Sequence, residues 1–153
     1  FILHASSDLG ACTNFSNFFP ASAYATVVTT DYDLLLTRLD ATNSNSGVVL
    51  YAGSSTYTPT NVDSGTTDAT TANKLIQSGQ NFVTTVTIND IVYNTTDETY
   101  AKVTAVDDNE TLSLDLDIMV SGEGYEIQSS AAAKARYSLD ITKSWTITDG
   151  GPV

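Results

Sequence analysis

The sequence predicts an all-β protein of two small antiparallel β modules, the second a compact five-stranded barrel-like unit. Three observations carry that expectation. Apolar and polar residues alternate through residues 82–88, 101–106 and 112–118, and a period of two marks a strand with one buried face. Turn-forming residues separate these runs at Asn89-Asp90, residues 94–97, 107–110 and 121–124, at the spacing of a small barrel or sandwich. A hydrophobic content of 41% in 153 residues is enough to bury a core in one domain or two small ones.

In chain order, residues 1–20 crowd Phe15, Phe18 and Phe19 before Pro20 without strand or helix period. They read as an irregular segment or as an arm that buries its aromatic residues on a neighbouring subunit. Residues 21–58 read as the N-terminal β module. Its strands are 23–31, 32–40 and 47–52, with helix the rival for the apolar run at 32–40 and a hairpin through the polar stretch 41–47. Residues 59–72, rich in Ser, Thr, Gly and Asp, read as a linker or surface loop. The barrel-like module follows at 73–128, opening on a helical turn at 72–77. Residues 129–136 have high helix propensity but equally suit an extended tether. The alternating runs 137–142 and 144–148 end the chain as strands, and strands at 136–148 complete the first module, which makes 73–128 an insertion.

Within 73–128 the segments Asn89-Asp90-Ile91-Val92, Asn94-Thr95-Thr96-Asp97, Val103-Thr104-Ala105-Val106-Asp107 and Gly122-Glu123-Gly124-Tyr125 resemble a module of virion structural proteins of tailed bacteriophages. The resemblance covers about a third of the chain. It implies a capsid decoration, head-fibre or tail component, and carries over no catalytic residue. The family tends to place glycine where this chain has Asn89, a residue that also adopts the left-handed backbone of a tight turn.

Charge narrows the partners. Six basic residues against 18 acidic ones give a net charge of −12, which repels phosphate backbones, so no nucleic acid is expected. An acidic, Ser/Thr-rich surface suits copies packed at high local density, because like charges keep them soluble and block edge pairing. No apolar stretch approaches the roughly 18 residues of a membrane span, so the chain reads as soluble, with no membrane partner. It begins at Phe1 rather than methionine, as a processed product or a fragment would.

Chemistry-bearing residues are few. Cys12 is the single cysteine, which removes an internal disulfide and a thiolate zinc site. It reads as a small buried residue, with an intermolecular disulfide as the alternative. His4 is the single histidine, and no nucleophile elbow or phosphate-cradling loop accompanies it, so no catalytic residue, cofactor or metal is assigned. Asp31 with Asp33, Asp115 with Asp117, and the group Asp107, Asp108, Asn109 and Glu110 offer oxygens to calcium. They lack the ligand count and spacing of a calcium loop, so they read as solvated acidic faces and turns. Paired glycosidase carboxylates are weaker still. Asn14, Asn94 and Asn109 open N-glycosylation triplets, of a kind that arises by chance in so polar a chain. Tyr24, Tyr32, Tyr51, Tyr57, Tyr93, Tyr100, Tyr125, Tyr137 and Trp145 serve core and interface, or, on one exposed face, a sugar-stacking platform.

With the role that the resemblance implies, the functional expectation is a non-enzymatic virion structural protein on the particle surface, an exterior decoration, cement or fibre subunit. Its partners would be copies of itself and a capsid or tail protein, with Phe1, Phe15, Phe18, Phe19 and Trp145 as interface anchors. A carbohydrate-binding or adhesin module with a glycan partner, and an extracellular filament subunit growing by strand addition, are the alternatives.

Overall fold

The computed structural model describes residues 27–153. They form two compact units, one of residues 27–59 with Ala131–Val153 (unit 1) and one of Thr60–Ser130 (unit 2). The molecule is mostly β, with helices in addition, so the all-β expectation holds only in its coarser form.

Among the described residues, the first element of unit 1 is helix α1, Thr29–Thr42. Its buried residues are Tyr32, Leu35, Leu36 and Leu39, spaced i, i+3, i+4, i+7, which is one stripe of a 3.6-residue helix. The expected strands at 23–31 and 32–40 are corrected accordingly for the described positions. The run Leu34-Leu35-Leu36 looked like a buried strand, but only the helical stripe places all four large side chains on one face. The helix end is capped from afar: the Lys143 ammonium pairs with Asp40 Oδ1 at 2.9 Å and donates to the Asn43 carbonyl at 3.0 Å, a cation where the helix dipole favours one.

Strand β1, Val49–Tyr51, pairs in parallel with the last strand, Thr146–Thr148, in register Val49↔Thr146, Leu50↔Ile147 and Tyr51↔Thr148. The hairpin expected through 41–47 is therefore absent. Parallel strands need a long crossover, and here the crossover contains the whole of unit 2. The segment before the last strand is helical: α3, Ala131–Tyr137, runs into a π-helical turn at Ser138–Thr142, which corrects the tether at 129–136 and the strand at 137–142. Helix α3 packs on α1.

Unit 2 contains β2 Asn61–Thr66, β3 Lys74–Ile76, the short helix α2 Phe82–Thr85, β4 Ile91–Asn94, β5 Thr99–Val106, β6 Thr111–Leu114 and β7 Gly124–Gln128; the last strand of unit 1 becomes β8. Six strands make one antiparallel sheet in the order β2-β7-β4-β5-β6-β3. The sheet curls into a half-barrel, not the closed five-stranded barrel expected. Three bonds tie its two edge strands at their ends: Asp68 N–H and Thr67 Oγ1 both donate to the Ile76 carbonyl, at 2.8 and 2.9 Å, and Thr66 N–H donates to Gln77 Oε1 at 3.1 Å.

Several sequence boundaries move. The linker expected at 59–72 supplies strand β2, and the helical turn expected at 72–77 is strand β3. The strand expected at 82–88 is the helical turn α2, because its buried residues are Phe82 and Val86, four apart, while Val83 and Ile88 face solvent. The strand at 101–106 is present as β5, which buries Ala101 and Val103 in alternation. The run 112–118 stops as strand at Leu114.

The concave face holds the core of Leu75, Phe82, Val92, Val103, Leu112, Tyr125, Ile127 and their neighbours. Phe82 meets Tyr125 edge-on at 6.4 Å, the arrangement the ring quadrupoles prefer. Turn chemistry matches the backbone at Asn89, which stands at φ +76°, a region that asparagine tolerates better than most residues.

Candidate functional site: a cleft at the loop end of the β unit

The chain enters unit 2 at Thr60 and leaves it past Ser129, and these two positions are neighbours, with Ser129 N–H donating to the Thr60 carbonyl at 3.1 Å. Strands β2 and β7 run antiparallel from there, in register Asn61↔Gln128 to Thr66↔Gly124. The loops at 67–73, 95–98 and 115–123 therefore gather at the opposite end of the sheet. Between them lies a cleft of about 240 Å³, lined by Thr70, Asp97, Thr99, Asp117, Ile118, Met119 and Val120.

Asn94 builds this end. It is fully buried at the last position of β4. Its Oδ1 accepts the N–H groups of Thr96 and Asp97 at 2.9 and 3.2 Å, a local turn that starts the β4–β5 connection. Its Nδ2 donates to the Ile118 carbonyl at 2.7 Å and to Glu123 Oε2 at 2.8 Å. The same Glu123 oxygen accepts Val120 N–H at 2.7 Å. One buried amide thus fixes two loops at once, with a carboxylate bracing the second.

The third loop is tied to the second. Ser121 N–H donates to Thr70 Oγ1 and Ser121 Oγ to the Asp68 carbonyl, both at 2.9 Å, and Asn73 N–H donates to Asp117 Oδ1 at 3.1 Å. Gly122, at φ +93°, makes the tight return in that loop and donates to the Thr67 carbonyl at 2.8 Å. The cleft is held open by hydrogen bonds rather than left to collapse. The lining mixes apolar residues, Ile118, Met119 and Val120, with the acidic Asp97 and Asp117 and with Thr70 and Thr99.

Of the candidate residues named from sequence, Asp117 lines the cleft and Asn94 braces it; the others fall elsewhere. Phe1, Phe15, Phe18, Phe19, His4, Cys12, Asn14 and Tyr24 lie outside the described residues. Trp145 is buried in unit 1, its indole N–H donating to the Asn45 carbonyl at 2.8 Å, so it holds the fold and is not an exposed anchor. Tyr32, Tyr57, Tyr125 and Tyr137 are buried as well. Tyr93 and Tyr100, opposite each other across β4 and β5, stack at 4.8 Å, and each ring covers one face of the other. Tyr51, on β1, is exposed.

Most of the acidic candidates are engaged in turns and ion pairs. Asp31 and Asp33 sit on α1, where residues two apart do not share a face. Asp107 binds the Lys74 ammonium at 2.7 Å and Ser113 Oγ; Asp108 and Glu110 accept the N–H groups of Glu110 and Gly79. Asp115 accepts Lys102 N–H at 2.7 Å and faces the Lys102 ammonium at 3.8 Å. Among the described residues no group of three or more His, Cys, Asp or Glu side chains converges, and no helix is long and apolar enough to cross a membrane. The Asn94 triplet is closed to a glycan in the folded chain because its amide is buried and doubly bonded, whereas Asn109 is exposed.

No protein-family model, curated protein or solved structure matches the chain.

Proposed function

We infer that the chain is a structural protein that works through protein–protein contacts, an exterior decoration or fibre subunit of an assembled particle of the tailed-phage kind. The observation that supports this reading is unit 2 itself. It has its own core and its own sheet, and its entry and exit lie side by side on adjacent strands. An element inserted in this way leaves its far loops unencumbered by chain connections, which is the geometry of a display module. Charge points the same way: unit 2 holds 12 of the 18 carboxylates and two of the six basic residues, leaving −10 of the chain's −12. Such a surface repels its copies except where a complementary partner docks.

The test is the mass of the full chain in solution by light scattering, with and without residues 1–20. A discrete closed oligomer that dissociates on truncation is expected of a subunit that assembles through an aromatic arm. A monomer at every concentration, unchanged by truncation, overturns the assembly reading and favours an isolated glycan-binding module.

A further inference from the structure

We propose that the loop-end cleft of unit 2 is a docking site for a basic side chain of a partner protein, with the aliphatic stem on Ile118, Met119 and Val120 and the cationic head between Asp97 and Asp117. This rests on the reading of the chain as a contact protein and names the chemistry of one contact.

Shape and charge complementarity select the occupant. The cleft, about 240 Å³, is smaller than the roughly 300–1,000 Å³ of ordinary small-molecule sites and suits a single side chain. Its lining combines apolar residues, Ile118, Met119 and Val120, with the acidic Asp97 and Asp117, and the groups that match both at once are lysine and arginine, whose methylene stems pack on apolar surface while the head stays polar. The two carboxylates are available. The Asp97 carboxylate has no partner among the described residues, and Asp117 uses only Oδ1, toward Asn73 N–H. The cations of the same unit are engaged elsewhere, Lys74 on Asp107 and Lys102 on Asp115. The hydroxyl of Thr70 accepts Ser121 N–H at 2.9 Å.

The walls are also fixed in advance. Asn94 holds the Asp97 turn and the Ile118 backbone together, so a docking side chain does not have to order the loops, and that cost of binding is removed.

The test is an amide NMR titration of the full chain with Nα-acetyl-lysine N-methylamide, and in parallel with its norleucine counterpart, which keeps the stem and drops the charge. The lysine probe is expected to shift the amides of Asp97, Thr99 and residues 117–120 with a dissociation constant on the order of millimolar, weakening as salt is raised. The norleucine probe is expected to bind the native chain, and the lysine probe the double variant Asp97→Asn/Asp117→Asn, at least tenfold more weakly, with the amides of residues 101–106 unmoved by the two substitutions. Equal binding of both probes, an unaffected double variant, or saturation of the cleft by calcium chloride or glucose when lysine does not bind would each overturn the proposal. Light scattering of the double variant separates this result from the assembly reading. Lysine binding by a chain that is monomeric throughout keeps the site and discards the oligomer; an oligomer that ignores lysine does the reverse.

Discussion

Replacing Asn94 by alanine should loosen unit 2 more than any other single change at its loop end. The side chain is fully buried and makes four hydrogen bonds, to Thr96 N–H, Asp97 N–H, the Ile118 carbonyl and Glu123 Oε2. Three neutral bonds at about 1 kcal/mol and one to a carboxylate at about 2 set an upper value of about 5 kcal/mol. Thr96 and Asp97 are exposed, so their N–H groups recover water when the amide is lost. The expected cost is therefore about 3 kcal/mol. Because two units need not unfold together, the reading should come from hydrogen exchange at the amides of β4 and β7, not from a single melting curve. A loss of ~3 kcal/mol lowers their protection about 150-fold. Aspartate at the same position should cost at least as much, since it removes both donors and sets a second carboxylate beside Glu123. Protection that falls less than tenfold in the alanine variant would refute the view that this amide organises the loop end.

Other outcomes follow from the same geometry. In unit 1 the Arg136 guanidinium grips Asp149 with Nε at 2.9 Å and Nη2 at 3.0 Å, while Tyr32 also donates to Asp149 at 2.8 Å. Arg136→Met leaves the Asp149 charge buried without its counter-ion and should cost about 3–5 kcal/mol in urea unfolding followed by Trp145 fluorescence; a loss below 1 kcal/mol would contradict that role. Burial, and then the Asp63 charge, push the Tyr125 phenol above its ordinary value of 10.0. The proton is thus held more tightly in the folded state, and the stabilisation present below pH 10 should be lost as pH rises through the raised value; a tyrosinate absorbance step for this residue at its ordinary pH would count against it. The Lys74 ammonium holds the Asp107 carboxyl below its ordinary 3.8, and the Ser78 N–H does the same for Asp68. Both stabilise the fold above that pH and should lose the contribution as pH falls through their lowered values, so Asp107→Asn should flatten the acid side of the stability profile. Gly122→Ala forces a side chain into φ +93° and should cost about 1–2 kcal/mol, visible as faster exchange at Thr67 and Glu123.

What the sequence showed and what it hid have physical causes. Strand β5 was legible because its alternation decides which side chains reach the core. Helix α1 was hidden by its own density of leucine: Leu34 completes an apolar run that suits a buried strand, and only Tyr32 and Leu39 at the correct offsets disclose the helical stripe. Residues 82–88 misled in the opposite sense, since period two is present in the letters while the core takes Phe82 and Val86 and leaves Ile88 in water. Strand β2 is made of Asn, Asp, Ser, Gly and Thr around Val62, a composition that reads as loop; pairing with β7, not intrinsic propensity, makes it a strand. The cleft had no local signal. Asn94 was visible as a turn former and as a glycosylation triplet, but its bonds to Ile118 and Glu123 span 24 and 29 residues, and the sequence does not show which distant loop a turn amide will meet.

The claim on which the rest depends is that Thr60–Ser130 is a self-supporting body, able to present its loop end because its core and sheet are complete. The direct measurement is an amide NMR spectrum of residues 60–130 expressed alone, its ends already adjacent at Thr60 and Ser129. Well-dispersed resonances with the exchange protection of β4, β5 and β7 seen in the full chain are the predicted result. A collapsed, unprotected spectrum would contradict it and return the loop end to being an accident of the larger fold.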